Sequence, residues 1–177
     1  MIPVHRHSRR LFLSRAARLA VAGAVLPLAR PALASLPNAR SLEFDHTHTG
    51  ESLSVVFAIG NHFVPEALGT LNRFLRDHYS GEIGRIDPQL FELLFRTRQE
   101  LGTDQPFQVI SGYRCATTNS TLRNTRGGGV ARQSLHMEGK AIDIRIPGVP
   151  LTDLRDAARF LSAAASDSCL SYFIIRP

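Results

Sequence analysis

The sequence predicts an α+β domain in which an antiparallel sheet holds a metal-type site and helices pack against the sheet's other side. Three observations lead there. Leu42 and Phe44, then Leu53, Val55 and Phe57, then Ile142, Ile144 and Ile146, alternate with other residues at the period of half-buried strands. Between these runs lie segments of helical spacing with their own start and stop residues. A length of 177 residues with 44% hydrophobic content suits one globular core. No internal repeat, low-complexity segment or second domain interrupts it.

In order along the chain, Leu42 and Phe44 lead into a turn at His48-Thr49-Gly50-Glu51, and the alternation resumes at Leu53, which predicts a β-hairpin with one buried face. His46 and His48 stand two apart and could grip a metal; the preferred reading is that they flank and shape the turn. Pro65 suits a first helical position, Leu68, Leu71, Phe74 and Leu75 share a face, and Gly81 closes the run, so a helix is expected from Pro65 through Tyr79. His62 and His78 read as surface or boundary residues. Asp87-Pro88 is a cap followed by a first-turn proline, and Leu90, Phe91, Leu94 and Leu101 continue a second helix that stops at Gly102. Both helices read as packing rather than function. Phe107 to Ser111 reads as a short strand, Thr118 as the cap of a short helix through Leu122, and Asn124 to Gly129 as a loop. Three consecutive glycines in that loop resemble a phosphate cradle, but no Lys and Ser/Thr opening a helix follow them, so a nucleotide site is set aside. Pro150-Leu151-Thr152 introduces a last helix with Leu154, Ala157, Ala158 and Leu161 on one face.

A formal charge of +6 and a pI near 10.3 suggest a nucleic-acid binder, and the suggestion is misleading. Residues 1–34 contain Arg6, Arg9, Arg10, Arg15, Arg18 and Arg30 and no acid, which leaves the remaining chain formally neutral. No basic stripe remains to neutralise a phosphate backbone, so no nucleic-acid partner is expected. Residues 1–34 read instead as a targeting segment. Ser8-Arg9-Arg10-Leu11-Phe12-Leu13 carries the paired arginines of a twin-arginine (Tat) signal, an apolar stretch runs from Leu19 to Leu28, and Ala32-Leu33-Ala34 precedes a cut before Ser35. This reading is preferred to a general secretory signal. It implies the Tat export machinery as a partner, a periplasmic destination and no permanent membrane span, since Arg18, Pro27 and Arg30 interrupt the apolar run. Cys115 and Cys169 are the only cysteines; two small unpaired side chains are the preferred reading over a disulfide, and two thiolates cannot build a zinc site alone.

The chemistry concentrates in Ser134-Leu135-His136-Met137-Glu138-Gly139-Lys140-Ala141-Ile142-Asp143. A loop carrying His136, a tight turn at Gly139 and a strand carrying Asp143 would put the imidazole and the carboxylate near one another. Strand alternation sends Asp143 to the face opposite Ile142, Ile144 and Ile146. Imidazole nitrogen and carboxylate oxygen suit zinc.

The pattern S-x-H-x-x-G-x-A-x-D resembles the signature of the zinc peptidases that include D-Ala-D-Ala carboxypeptidases and dipeptidases, and Ser111-Gly112-Tyr113-Arg114 resembles the S-G-Y-R element of the same superfamily. His48-Thr49-Gly50-Glu51, Ile86-Asp87-Pro88, Leu122-Arg123 and Gly129-Val130-Ala131 extend the resemblance to the murein endopeptidase K family over almost the whole chain. The resemblance implies a zinc-dependent murein endopeptidase that hydrolyses peptide cross-links of peptidoglycan, with Zn2+ as cofactor and His136 and Asp143 as two of three protein ligands. It makes Arg114 the catalytic contact to an oxyanion or a substrate carboxylate, a task that suits a permanently charged fork of donors. Ser134 is expected to hydrogen-bond near the ligand loop. Glu138 is a tempting base, but the family pattern leaves its position variable, so no role passes to it.

The resemblance also implies a third ligand, a His in an H-x-D or H-x-H strand after the last helix, with the general base close by. No His follows His136, and the chain closes on Ser166 to Pro177 without that element. The expectation is therefore a signal at 1–34 and a zinc peptidase-like domain at 35–177 whose C-terminal strand region is missing, with impaired zinc binding. The alternative is a non-catalytic peptidoglycan-binding module or an inactive remnant.

Overall fold

The computed structural model describes residues 37–125 and 130–164. The expected signal at 1–34, the glycines at 127–129, Cys169 and the closing segment after Ala164 lie outside the described residues. Among the described residues no helix is long and apolar enough to cross a membrane.

Five strands form one sheet: β1 (Ala39–His46), β2 (Ser52–Ile59), β3 (His62–Phe63), β4 (Phe107–Ser111) and β5 (Asp143–Arg145), in the order β3-β2-β1-β4-β5. The helices are α1 (Pro65–Phe74), α2 (Pro88–Glu100), α3 (Ala116–Thr125) and α4 (Leu151–Ala164). This is the α+β class expected, with one difference. The sheet is mixed, because β1 and β4 run parallel, pairing Phe44 with Phe107 and His46 with Val109, while the other pairings are antiparallel. A parallel pair cannot be closed by a tight turn, and here the hairpin's second strand and both α1 and α2 supply the crossover.

The hairpin forms where the alternation put it. Leu42, Phe44 and His46 are the buried positions of β1, two residues apart on one face. At the turn Gly50, with φ +71°, donates its N–H to the His46 carbonyl at 2.9 Å. Asp87 caps α2 as expected, its carboxylate accepting from the Gln89 N–H at 2.9 Å, with Pro88 in the first turn. Leu90, Phe91 and Leu94 of α2, Leu71 and Phe74 of α1, Leu154 of α4 and Ile142, Ile144 and Ile146 meet Leu42, Phe44, Phe57, Phe107 and Val109 in a single core. Phe44 sits at its centre, 5.8 Å from the rings of both Phe74 and Phe107.

Two helices differ from expectation for identifiable reasons. The first ends at Phe74, not Tyr79: the Leu75 carbonyl accepts the N–H of Tyr113 at 2.8 Å, and the chain then turns around Asp77. Gly81, at φ +76°, closes that turn rather than the helix. The third runs from Ala116 to Thr125, beyond both expected ends, and Thr118 lies inside it instead of capping it. The last strand, Asp143–Arg145, is shorter than the run of alternation around it.

Burial of Phe44 between two other rings sets the first expectation. Phe44→Ala should cost about 3–5 kcal/mol of unfolding free energy in urea titration; a loss below about 1 kcal/mol would mean that this ring is not central to the core.

Candidate metal centre

The end of β4 and the start of β5 lie side by side, with Ser111 opposite Asp143 across a bulge that follows Val109. The loop before β5 is a compact turn in which Met137 N–H reaches the Ser134 carbonyl at 2.8 Å and Lys140 N–H reaches Leu135 at 2.9 Å. Gly139 is the residue this turn needs. Its φ is +66°, and a Cβ there would fall 1.9 Å from the Arg85 carbonyl oxygen. Its own carbonyl accepts the Asp87 N–H at 2.9 Å, which ties the loop to the start of α2.

This turn delivers His136 into the interior, 2% exposed, beside Asp143, 7% exposed. The Nδ1 atom lies 2.8 Å from the Gly112 carbonyl oxygen. A carbonyl can only accept, so Nδ1 carries the proton and the neutral ring presents a bare Nε2. That Nε2 lies 3.5 Å from Asp143 Oδ2, and Asp143 Oδ1 is buried without a hydrogen-bond partner. A charge-assisted hydrogen bond would be shorter, about 2.7–2.9 Å. Two donors on a tetrahedral zinc, each about 2.0–2.2 Å from the metal, stand roughly 3.4 Å apart. Donor types, spacing and the orphaned oxygen all fit a zinc ion. The Gly112 carbonyl that fixes the imidazole also fits. Among the described residues, no group of three or more His, Cys, Asp or Glu side chains is arranged to hold a metal.

Arg114 joins this pair from the S-G-Y-R segment. Its N–H donates to the His136 carbonyl at 3.2 Å, and its half-buried guanidinium lies 3.5 Å from Ser111 Oγ. The residues singled out by sequence, His136, Asp143 and Arg114, are therefore neighbours, brought together by β4, β5 and the intervening loop. Ser134 is buried at the start of the loop and holds it through its carbonyl. Glu138 is exposed and paired with Lys140 at 3.2 Å.

Sequence reasoning missed Asp77. Its carboxylate is 1% exposed and accepts the N–H groups of Cys115 and Tyr79, each at 2.9 Å, while its own N–H donates to Glu82. It thereby anchors the chain next to Arg114 and lies at the start of α3, where a carboxylate is favoured. Burial raises its pKa, yet the hydrogen bonds from Cys115, Thr118 and Tyr79 outweigh that and hold it at about 2. One signal in the sequence could have exposed it: an acid followed by Tyr79-Ser80-Gly81 reads as an Asx-type turn rather than the tail of a helix.

His46 and His78 were also underestimated. His46 Nδ1 accepts from the N–H groups of His48 at 3.2 Å and Thr49 at 3.4 Å, so it does shape the turn. It is also buried, packed edge-on against Phe74 and His78. Burial first, then the neighbouring His78 and His48, push its pKa down to about 4. His78, expected at the surface or boundary, is half-buried as a boundary residue and is stacked on His48. Cys115 is a buried thiol against Thr118.

Comparison with known proteins extends this picture. A family model described as "Peptidoglycan L,D-endopeptidase MepK" matches residues 34–166. The Peptidoglycan L,D-endopeptidase MepK of Escherichia coli (strain K12) is 42% identical over 145 residues, covering 82% of this chain and 79% of that protein. The protein of that name from Shigella flexneri shows the same identity and coverage. The Probable peptidoglycan L,D-endopeptidase MepK of Haemophilus influenzae is 38% identical over 144 residues, covering 81% and 77% of the two chains. No solved structure matches.

Acid should weaken the fold in two windows. His46 titrates at about 4 when folded instead of its ordinary 6.5, so the unfolded chain binds the extra proton and stability falls as pH drops between those values. Asp77 contributes stability that is complete above its ordinary 3.8 and is lost as pH falls through its folded value of about 2. Urea midpoints measured along a pH series should fall less steeply in the upper window for His46→Gln and in the lower one for Asp77→Asn. Parallel curves for variant and native chain would remove the residue concerned from the account. Separately, Gly139→Ala should abolish the loop's packing on Arg85, read as loss of native amide shifts for residues 134–140 or outright failure to fold.

Proposed function

The chain belongs to the MepK family of peptidoglycan L,D-endopeptidases, and on that premise we propose that it is a zinc-dependent hydrolase of the peptide cross-links of peptidoglycan. The observation that carries the zinc reading is the His136–Asp143 pair, a bare imidazole nitrogen and a carboxylate 3.5 Å apart with a buried, unpartnered oxygen beside them. His136 and Asp143 would hold the ion. When bound, zinc supplies Lewis acidity toward an amide carbonyl and toward water.

The remaining chemistry belongs to the chain itself. The Gly112 carbonyl keeps the proton on His136 Nδ1 and so leaves Nε2 as the free donor atom toward Asp143. Arg114, tethered through its backbone to His136, has its guanidinium 3.5 Å from Ser111 Oγ, and Ser111 stands opposite Asp143 at the same end of the sheet. There it balances the negative charge that develops on a carbonyl oxygen during hydrolysis, or holds a carboxylate of the substrate. A peptidoglycan substrate places the protein outside the cytoplasm, and the paired Arg9 and Arg10 support export by the twin-arginine route to the periplasm.

A second reading has its own support. The third ligand that the family resemblance implies is not among the described residues, and no His follows His136 in the sequence. Two protein ligands leave the metal loosely placed, and a displacement of about 1 Å can cost roughly a hundredfold in rate. Metal held by these two side chains alone would be weakly bound and would support little turnover, as in a peptidoglycan-binding module rather than an efficient enzyme.

Metal analysis after dialysis and an assay on cross-linked muropeptides separate these readings. A hydrolase that holds zinc through this pair should retain zinc and release products as the native polypeptide, and both should fall to background in His136→Ala and Asp143→Ala. Stoichiometric zinc with robust turnover would refute the weak-site reading, and zinc undiminished in His136→Ala would refute the ligand assignment.

A further inference from the structure

The segment from Asp77 to Ile83 takes no part in the chemistry described above, yet it exposes two large apolar side chains. Tyr79 is 59% and Ile83 51% exposed, and the only other such side chain among the described residues is Phe160 on α4. The segment is held rigidly. Asp77 takes the N–H of Tyr79 and, at 3.4 Å, that of Ser80, while Gly81 N–H closes on the Asp77 carbonyl at 2.7 Å. An aromatic ring on a fixed backbone loses little entropy when it binds something.

That ring is also backed. Tyr79 lies 4.2 Å from His78, and His78 is stacked on His48 at 4.3 Å with their planes 1° apart. Behind them His46 meets His78 edge-on at 5.7 Å and Phe74 at 5.8 Å, so the rings are rooted in the core. The ladder adjoins the site as well. The Asp77 carboxylate takes the Cys115 N–H next to Arg114, and Gly84 packs so close under the Tyr113 ring that a Cβ would fall 2.1 Å from it.

We propose that Tyr79, backed by His78 and His48, is a saccharide-stacking platform that seats an amino-sugar ring of the glycan strand while the attached peptide enters the site. This rests on the peptidoglycan reading. A pyranose presents a face of C–H groups, and the flat face of an aromatic ring complements it. An acidic peptide stem would call for a cation. Burial, then the neighbouring His48, keeps the pKa of His78 below its ordinary value and so keeps the ladder's middle ring neutral. Tyr79 and Ile83 are two of the three large apolar side chains that stand exposed among the described residues, and they lie four positions apart on one held segment.

Titration of the full chain with N-acetylglucosamine tetramer, followed by NMR, tests the proposal. The native chain should bind, with shifts centred on residues 78–83. Tyr79→Ala should weaken binding roughly 3- to 10-fold and Tyr79→Phe should leave it nearly unchanged. Because Tyr79 is exposed, both variants should keep the native melting temperature. A parallel titration with a sugar-free cross-linked peptide dimer should be insensitive to Tyr79→Ala. No sugar binding by the native chain, equal binding by Tyr79→Ala, or equal weakening for the peptide dimer would each overturn the platform. Sugar binding with no affinity for the peptide dimer would support the platform and overturn the endopeptidase reading instead.

Discussion

The hydrogen bond from His136 Nδ1 to the Gly112 carbonyl is the contact on which the site depends. It joins two segments far apart in sequence and decides which imidazole nitrogen keeps its lone pair. The acceptor is itself held from behind. Gly112 approaches the Leu75 carbonyl so closely that a Cβ would stand 2.5 Å from it, and the next residue, Tyr113, bonds that same carbonyl. Support therefore runs from the end of α1 through the backbone of the S-G-Y-R segment into the imidazole. A side chain at position 112 would push this backbone away and lose the tautomer along with the packing.

Asp77 supports the same segment by a different balance. Taking a carboxylate out of water is costly, and an apolar interior would return its proton. Here several donors converge on it, two of them backbone N–H groups of its own turn, so the ionised form is the stable one. The result is a buried charge that fixes both the turn at Tyr79 and the residue following Arg114. Loss of a donor leaves the charge partly uncompensated, which is more damaging than never having buried it.

Much of this was legible in the sequence because it rests on local rules. Alternation located β1, β2 and the Ile142–Ile146 run, a capping Asp with a following Pro located α2, and the glycine at position 139 located the turn that carries His136. The Gly139 turn put His136 near Asp143, and the family resemblance supplied the company of Arg114, which no spacing rule could give. What escaped was non-local. The helix ended at Phe74 because Tyr113, 38 positions on and just past a strand end, claimed the Leu75 carbonyl. His78 read as a surface or boundary residue, and nothing nearby in sequence announced that His48 would stack on it. Sheet order was hidden for the same reason, since the β1–β4 pairing depends on which strand edge remains after the hairpin has closed.

That parallel pairing has a kinetic consequence. Phe44 meets Phe107 only after the hairpin, α1 and α2 have been laid between them, and β5 can join only once β4 is in place. Contacts of such long sequence separation are paid for in loop-closure entropy before they return anything, and they slow folding. His136 and Asp143 thus converge in one of the last events of folding, so any ion held between them would report a completed fold and could not seed it.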